Sequence, residues 1–400
     1  MPSICIYFQV HQPMRLRKFS IFGHNGHGWR ERYFDSALNR KIMEKVAEKC
    51  YRPTNAALLE LIRRHSGKFK ISFSLTGVFI EQCREYAPDV IDSFRELYKT
   101  GCVEFLSETY YHSLASMFGD GGEFAEQVRL HQRALNEIGI KPSKVFRNTE
   151  ALYSNEIAKR IEGMGFEAAI TEGWEHYLGW RSPNYVYRAK GCDGLRLLMR
   201  NYKLSDDVSY RFSSRWWSEY PLTADKYANW LAACQGPCLN LFMDYETFGE
   251  HQWADTGIFE FLHHMPQEVL RHEHLEFALP SELVERYEPM DEVDVPYMLS
   301  WADMERDTSA WLGNDMQREC FRLLEDIGAG LRKEGDADKL HAWRLLQNSD
   351  HLYYLCTKSL ADGDVHKYFS PYQNPYDGFI NFMNILQDFK ERNGGGDRHA

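Results

Sequence analysis

Short apolar runs alternate with stretches of helical period through roughly the first 280 residues, and few folds accept that alternation. Candidate strands lie at 4–10, 70–76, 102–107, 144–148, 167–171, 195–200 and 238–244. Helical patterns fill 53–64, 78–98, 123–138, 155–163, 223–233 and 256–271 between them. Two of these helices carry start signals: Ser154-Asn155 ahead of Glu156, and Asp255-Thr256 ahead of the run at Ile258. Strands separated by helices pair in parallel through right-handed crossovers. Seven repeats of this size suit a (β/α) barrel better than an open doubly wound sheet.

The pattern changes after Pro280. Helices are predicted over 302–329, 338–360 and 377–391, separated by Gly335-Asp336 and by the Pro371–Pro375 stretch. No Pro/Ser/Gly-rich linker precedes them, so they read as a unit packed on the barrel, not as an independent domain. The residues from Asn393 to Ala400 are Gly-rich and predicted to be disordered.

Composition excludes some partners. The net charge is −11 and no basic run occurs, which argues against nucleic acid and anionic membranes. The nine Cys are scattered without C-x-x-C spacing. Cys5, Cys238 and Cys356 sit in apolar runs, so these residues read as buried reduced thiols. Ile4-Cys5-Ile6-Tyr7-Phe8 is not preceded by a basic segment and no window approaches 18 apolar residues, so a cytoplasmic protein is expected. Aromatics reach 14%, with 10 Trp and 23 Tyr, which fits either platforms for sugar rings or a Tyr-rich core.

Reactive groups of a (β/α) barrel stand at the carboxyl ends of its strands. Polar residues there are His11-Gln12-Pro13, Glu108-Thr109-Tyr110-Tyr111-His112, Arg147-Asn148-Thr149-Glu150, Thr171-Glu172-Gly173-Trp174 and Asp244-Tyr245-Glu246, the last followed by Gly249-Glu250-His251. A carboxylate in such a place can be a helix N-cap or simply exposed. That reading fits Glu172 better than Glu150, since Glu caps poorly. Asp244 closes the apolar run Leu239–Met243 and is therefore partnered or functional. Asp244 and Glu246 point to one side if the strand continues. Two like charges there push one pKa up, as a general acid needs. His11 and His112 with Asp244 or Glu246 could be drawn as a zinc site, but no H-x-H or H-E-x-x-H spacing supports it. Asp307 and Trp311 are four apart on a predicted helix and share a face, which suits a sugar subsite or a plain packing contact.

These residues resemble glycoside hydrolase family 57. The likeness rests on His11-Gln12-Pro13, on Gly101–Leu106 leading to Tyr111-His112, on Glu150 after a strand, on Asp244-Tyr245-Glu246-Thr247-Phe248-Gly249, and on Trp301 through Asn314. His-Gln-Pro alone is weak, whereas five blocks in order, from residue 5 to about 360, form a specific signal. The nearest branch is the shorter α-amylase type. The resemblance implies an α/β fold: an incomplete (β/α)7 catalytic barrel over 1–285, with a C-terminal α-helical bundle over 286–392 completing the cleft. It implies a retaining, metal-independent enzyme without cofactor that acts on α-glucans. The nucleophile would be Glu150 and the acid/base Asp244. His11, Glu246, Asp307 and Trp311 match positions that line the family's sugar subsites and His112 the histidine of its second block; Trp174, Trp253, Trp301 and Trp311 are stacking candidates, and Gln12 and His251 are further expected substrate contacts. One departure is Ser107-Glu108, where many members have small residues; Glu108 could add a third carboxylate.

The implied chemistry is protonation of the glycosidic oxygen by Asp244 and attack by Glu150, followed by hydrolysis of the glycosyl-enzyme. Transfer to a sugar, as in a 4-α-glucanotransferase or branching enzyme, uses the same machinery. A glycan-binding protein without turnover and a metal-dependent deacetylase or mannosidase are the readings from other classes. Oligomeric state is not readable from the sequence.

Overall fold

All seven predicted runs are strands in the computed structural model, which describes residues 2–23, 28–358 and 370–394. In chain order the strands are β1 Ser3–Val10, β2 Ile71–Leu75, β3 Val103–Phe105, β4 Val145–Arg147, β5 Ala168–Glu172, β6 Val186–Ala189, β7 Arg196–Arg200, β8 Cys238–Asp244, β9 Glu276–Phe277 and β10 Glu292–Val293. The apolar pattern did not announce β6, β9 or β10. Every residue of β1 and β2 is buried; β1 reads as a largely continuous apolar run, whereas β2 alternates apolar residues with the buried Ser72 and Ser74.

One sheet has the order β3-β2-β1-β8, all parallel, with β9 beside the start of β1. The other runs β10-β6-β7-β5-β4, with β4, β5 and β7 parallel and β6 antiparallel to β7. The sheets meet along two seams. At one, Ser107 bridges Phe146 between β3 and β4. At the other, Asn201 N donates to Asn240 O at 2.8 Å, and Asn240 Nδ2 to Met199 O at 2.9 Å. Each of the seven predicted strands thus has a neighbour on both sides. Register levels their ends: Gln9 of β1 stands opposite both Ser74 of β2 and Asp244 of β8.

Most predicted helices are present, at Arg52–Arg64, Gly122–Glu137, Asn155–Gly163, Ala224–Ala233 and Ile258–Leu270. Ser154 caps the third through its hydroxyl, which accepts from Ile157 N. The single helix expected over 78–98 is two, Gly77–Tyr86 and Pro88–Lys99. Pro88 disfavours helical backbone at Ala87, which sits at φ −152°, ψ 62°. Helices at Ser36–Val46, Tyr202–Ser209 and Pro280–Arg286 were not expected.

The C-terminal reading needs larger corrections. The helix expected over 302–329 begins only at Ser309, stops at Leu312 and restarts at Asp315. Asn314 forces the restart by capping Asp315–Glu334 in a capping box with Gln317. Residues 300–308 are irregular, with Asp303 and Arg306 at positive φ. The helix expected over 338–360 is Ala337–Leu346 and then Ser349–Tyr353, broken by Asn348; its last two residues lie outside the described residues. The expected 377–391 is Pro375–Gly394, so the predicted tail starts inside a helix and its residues 395–400 lie outside the described residues.

A boundary at 285/286 also cuts through a sheet. β10 pairs with β6, and Asn155 N donates to Val295 O just beyond it. One apolar cluster joins Phe146, Ile157 and Leu197 to Trp311, Trp343 and Leu386, so the C-terminal helices share a core with β4, β5 and β7. No helix among the described residues is long and apolar enough to cross a membrane.

The tightest point of that shared core is Gly328, whose added Cβ would overlap the Trp343 ring. Gly328→Ala is expected to destabilise by ~1–3 kcal/mol, lowering the melting temperature by a few degrees in calorimetry. Gly330 lies exposed on the same helix with open space around it, so Gly330→Ala should be neutral or stabilising by up to ~1 kcal/mol.

Candidate active site

Carboxyl ends of the parallel strands gather a dense set of titratable side chains. His11 follows β1, Thr76 follows β2, Glu108 and His112 follow β3, Glu150 follows β4 and Asp244 ends β8. Three non-glycine residues in two of the turns there have left-handed backbone: His112 at φ 50°, Glu150 at φ 57° and Ala151 at φ 52°. Each such residue costs on the order of 1–2 kcal/mol and persists only where its surroundings hold it. At Glu150 the holding group is Trp301, whose backbone N donates to Glu150 O at 3.2 Å.

The Glu150 carboxylate has three side-chain donors. His112 Nε2 lies 3.1 Å from Oε1, Ser349 Oγ donates to Oε1 at 3.1 Å, and Trp301 Nε1 donates to Oε2 at 2.9 Å. Burial pushes this carboxyl up, but the His112 hydrogen bond and the charges of His112 and Arg147 outweigh burial and hold it below the usual range. His112 is itself wedged between two carboxylates, with Nδ1 at 3.5 Å from Glu108 Oε2. Burial alone would lower its pKa; hydrogen bonding to Glu108 and Glu150 instead carries it to about 9, so it is an imidazolium at neutral pH. Glu108 is fully buried, accepts from Gln9 Nε2 at 3.2 Å, and stays ionised against burial because His112, His131 and Arg147 surround it.

Asp244 contrasts with Glu150. No hydrogen bond to its carboxylate occurs among the described residues. Burial and the Glu150 charge push it up to about 6. Glu246 goes further, to about 8, through burial and the Asp244 charge, and accepts from Tyr51 OH. The β-strand ends at Asp244, so Glu246 stands in the short turn Tyr245–Thr247 and not on a continued strand face. It still stands close enough to Asp244 for that charge to raise it. The charges of Asp244 and Glu150 both act on Tyr210.

His11 stacks on His112 with ring centroids 4.0 Å apart. Its Nδ1 meets Thr76 Oγ1 at 2.9 Å and its Nε2 meets Asp350 Oδ2 at 3.2 Å and Asn348 Nδ2 at 3.1 Å. These contacts, with the pairing of His112, leave the two histidines fixed by protein groups. Among the described residues no three His, Cys, Asp or Glu side chains converge in an arrangement that could hold a metal ion.

Other predicted site residues divide. Gln12 is buried behind the site, donating to Tyr51 OH at 3.1 Å and accepting from Arg15. Trp301 is present but not as an open platform: Arg147 lies 4.6 Å and Arg200 5.8 Å from its ring centroid, and its N–H serves Glu150. Asp307 and Trp311 are not brought to the site. Asp307 is exposed and accepts from Ser309 N at 2.7 Å, while Trp311 is buried in the shared core against Tyr353. The predicted common helix face is absent because residue 307 lies outside any helix. Trp174 stacks on His176, and Trp253 is 55% exposed beside Lys49; neither contacts the carboxylate pair in the interactions found. Burial lowers His251 to about 4. Glu172 is no N-cap: it is fully buried and bound by Arg200 Nη1 at 3.0 Å and Arg306 Nη1 at 2.6 Å.

Sequence reasoning missed Asn348, Ser349 and Asp350, which the C-terminal unit delivers to His11 and Glu150. The helix pattern over 338–360 hid them; the signal was Asn348-Ser349-Asp350 itself, a capping triplet inside an apolar period. Arg147 was named among the strand-end residues but given no role, although it is a charge in the otherwise apolar strand Val145-Phe146-Arg147.

Comparisons with known proteins bear on this geometry. Residues 5–296 match the family model described as "Glycosyl hydrolase family 57". A Methanocaldococcus jannaschii protein named "Putative alpha-amylase" is 50% identical over 397 residues, 97% of this chain and 84% of that protein. Among solved structures, a branching enzyme of family 57 from Thermococcus kodakaraensis aligns with a TM-score of 0.69 at 14% identity, over 98% of this chain and 90% of its own. The 4-alpha-glucanotransferase from Thermococcus litoralis aligns with a TM-score of 0.59 at 16% identity over 95% of this chain, which spans only 55% of that one. The matched segment contains most of β1, all of β2 to β10 and both carboxylates of the strand-end pair, and the chain belongs to glycoside hydrolase family 57.

Proposed function

We propose that the protein is a retaining α-amylase that cleaves α-1,4-glucosidic bonds in glycogen, starch or maltodextrins. In this reading the seven parallel strands form an incomplete (β/α)7 barrel and the C-terminal helices complete its cleft. The observation that carries the reading is the unequal surroundings of two carboxyls at the strand ends: Glu150 has three side-chain donors, and among the described residues Asp244 has none. Glu150 is held ionised by His112, while Asp244 keeps a proton up to about pH 6. A glycosidase needs one carboxylate to attack and one carboxylic acid to give a proton.

Asp244 transfers its proton to the glycosidic oxygen as the C1–O bond breaks, and Glu150 closes on C1 to form a glycosyl ester. The deprotonated Asp244 then takes a proton from water, whose oxygen attacks C1 and releases Glu150. As Glu150 loses its charge to the ester, the like charge that raised Asp244 disappears. Its pKa falls, which suits its second role as base. Ser349, Trp301 and His112 aim the nucleophile, and Glu108 keeps His112 cationic. The relative's name supports hydrolysis. The structural neighbours named as a branching enzyme and a glucanotransferase favour a second reading, in which a sugar hydroxyl replaces water.

Glu150→Gln and Asp244→Asn are each expected to cut turnover of maltoheptaose at least ~10³-fold. Proton NMR of the first products should show the α anomer; an initial β anomer would rule out retention. Products longer than maltoheptaose would replace hydrolysis by transfer. The pH profile of kcat/KM follows from the two carboxyls. Activity needs Glu150 deprotonated and Asp244 protonated. The acid limb should therefore lie below the ordinary Glu range, and activity should fall as pH rises through about 6.

A further inference from the structure

Arg147 ends β4 three residues before Glu150 and is fully buried. Among the described residues none accepts a hydrogen bond from its Nε, Nη1 or Nη2. Arg200, the other buried guanidinium near Trp301, differs: it donates to Phe242 O, Glu172 and Asp206. A buried cation with no partner is costly, and an apolar side chain of similar volume would fill the space without that cost. Packing alone therefore does not account for Arg147.

Its surroundings do. The guanidinium lies 4.6 Å from the centroid of the Trp301 ring, and the N–H of that ring is one of the three donors to Glu150. Ionisable groups converge on it from every wall: Tyr7 from β1, Glu108 and His112 after β3, Glu150 after β4, and Asp244 from β8. Arg200 from β7 stands 5.8 Å from the same ring. Of these, Glu108, Glu150 and Asp244 can carry negative charge in the working range, against one imidazolium.

We propose that Arg147 is a positioning residue for the reaction: its guanidinium fixes the Trp301 indole so that the N–H stays on Glu150, and its charge, not tied to any one acceptor by a hydrogen bond, stabilises the carboxylate pair. The inference rests on the roles given above to Glu150 and Asp244. Its two parts separate, because Lys keeps the charge without the stacking plane and Met keeps bulk without the charge.

The test is the pH profile of kcat and kcat/KM on maltoheptaose for wild type, Arg147→Lys, Arg147→Met and Trp301→Phe, with circular dichroism to check folding. Removing a cation raises every neighbouring carboxyl, so Arg147→Met should move both limbs upward by about one pH unit. Arg147→Lys should leave both limbs in place. It should lose kcat by about the same factor as Trp301→Phe, ~10- to 100-fold, since both disturb one hydrogen bond to a charged group. A folded Arg147→Met with unmoved limbs overturns the proposal, and so does an Arg147→Lys with wild-type kcat. If Arg147→Met does not fold, the Lys variant decides alone: limbs in place with reduced kcat support the role, and shifted limbs overturn it. Loss of activity in Glu150→Gln with unmoved limbs in Arg147→Met sinks this inference only; activity surviving in Glu150→Gln sinks the mechanism beneath it.

Discussion

The imidazolium of His112, held between Glu108 and Glu150, is the contact on which the rest of the site depends. Several carboxyl groups are crowded below one opening, and a low-dielectric interior does not tolerate their charges unpaired. His112 neutralises locally, and it does so unequally. It touches Glu150 and Glu108 but donates nothing to Asp244, which is left to rise. The left-handed backbone at His112 and Glu150 is the cost of bringing these rings and carboxylates face to face.

The scaffold explains why that cost can be met. Parallel strands buried on both faces end at one level, so groups from β1, β2, β3, β4 and β8 meet without long loops. The remaining contacts come from beyond the sheets. The irregular segment around Trp301 is tied down by Arg306 on Glu172 and by Ser300 on Asp307, and the turn at Asn348 pairs with Ser113. C-terminal helices and strands share one apolar cluster, so these outer contacts are as rigidly carried as the inner ones.

Physical reasons separate what could be read from the sequence and what could not. Most of the seven strands were legible because burial on both faces leaves a mainly apolar run; β2 was legible through the alternation of Ile71, Phe73 and Leu75 with serines. β6 was not, since it is four residues long, exposes Arg188, and is specified by its hairpin with β7. The helix Ser36–Val46 buries only Asn39, Met43 and Val46, too sparse a stripe to stand out. Asp244 was legible because it closes the run Leu239–Met243, and Glu150 because it stands just past a strand in a place where Glu makes a poor cap. The roles of Trp301, Asp307 and Trp311 were not, because a helical period read through residues 302–311 erased the turn that separates them. Trp301 was found for its ring but acts through its N–H.

The donors that aim Glu150 are far apart along the polypeptide, and Ser349 lies 199 residues after the carboxylate it serves. During synthesis the strand ends can form around Glu150 and Asp244 while the turn at Asn348 has yet to leave the ribosome. Until then His11 lacks Asp350 and Asn348, and Glu150 lacks one of its donors. The donor set of Glu150 is therefore complete only once the chain has been made as far as Ser349.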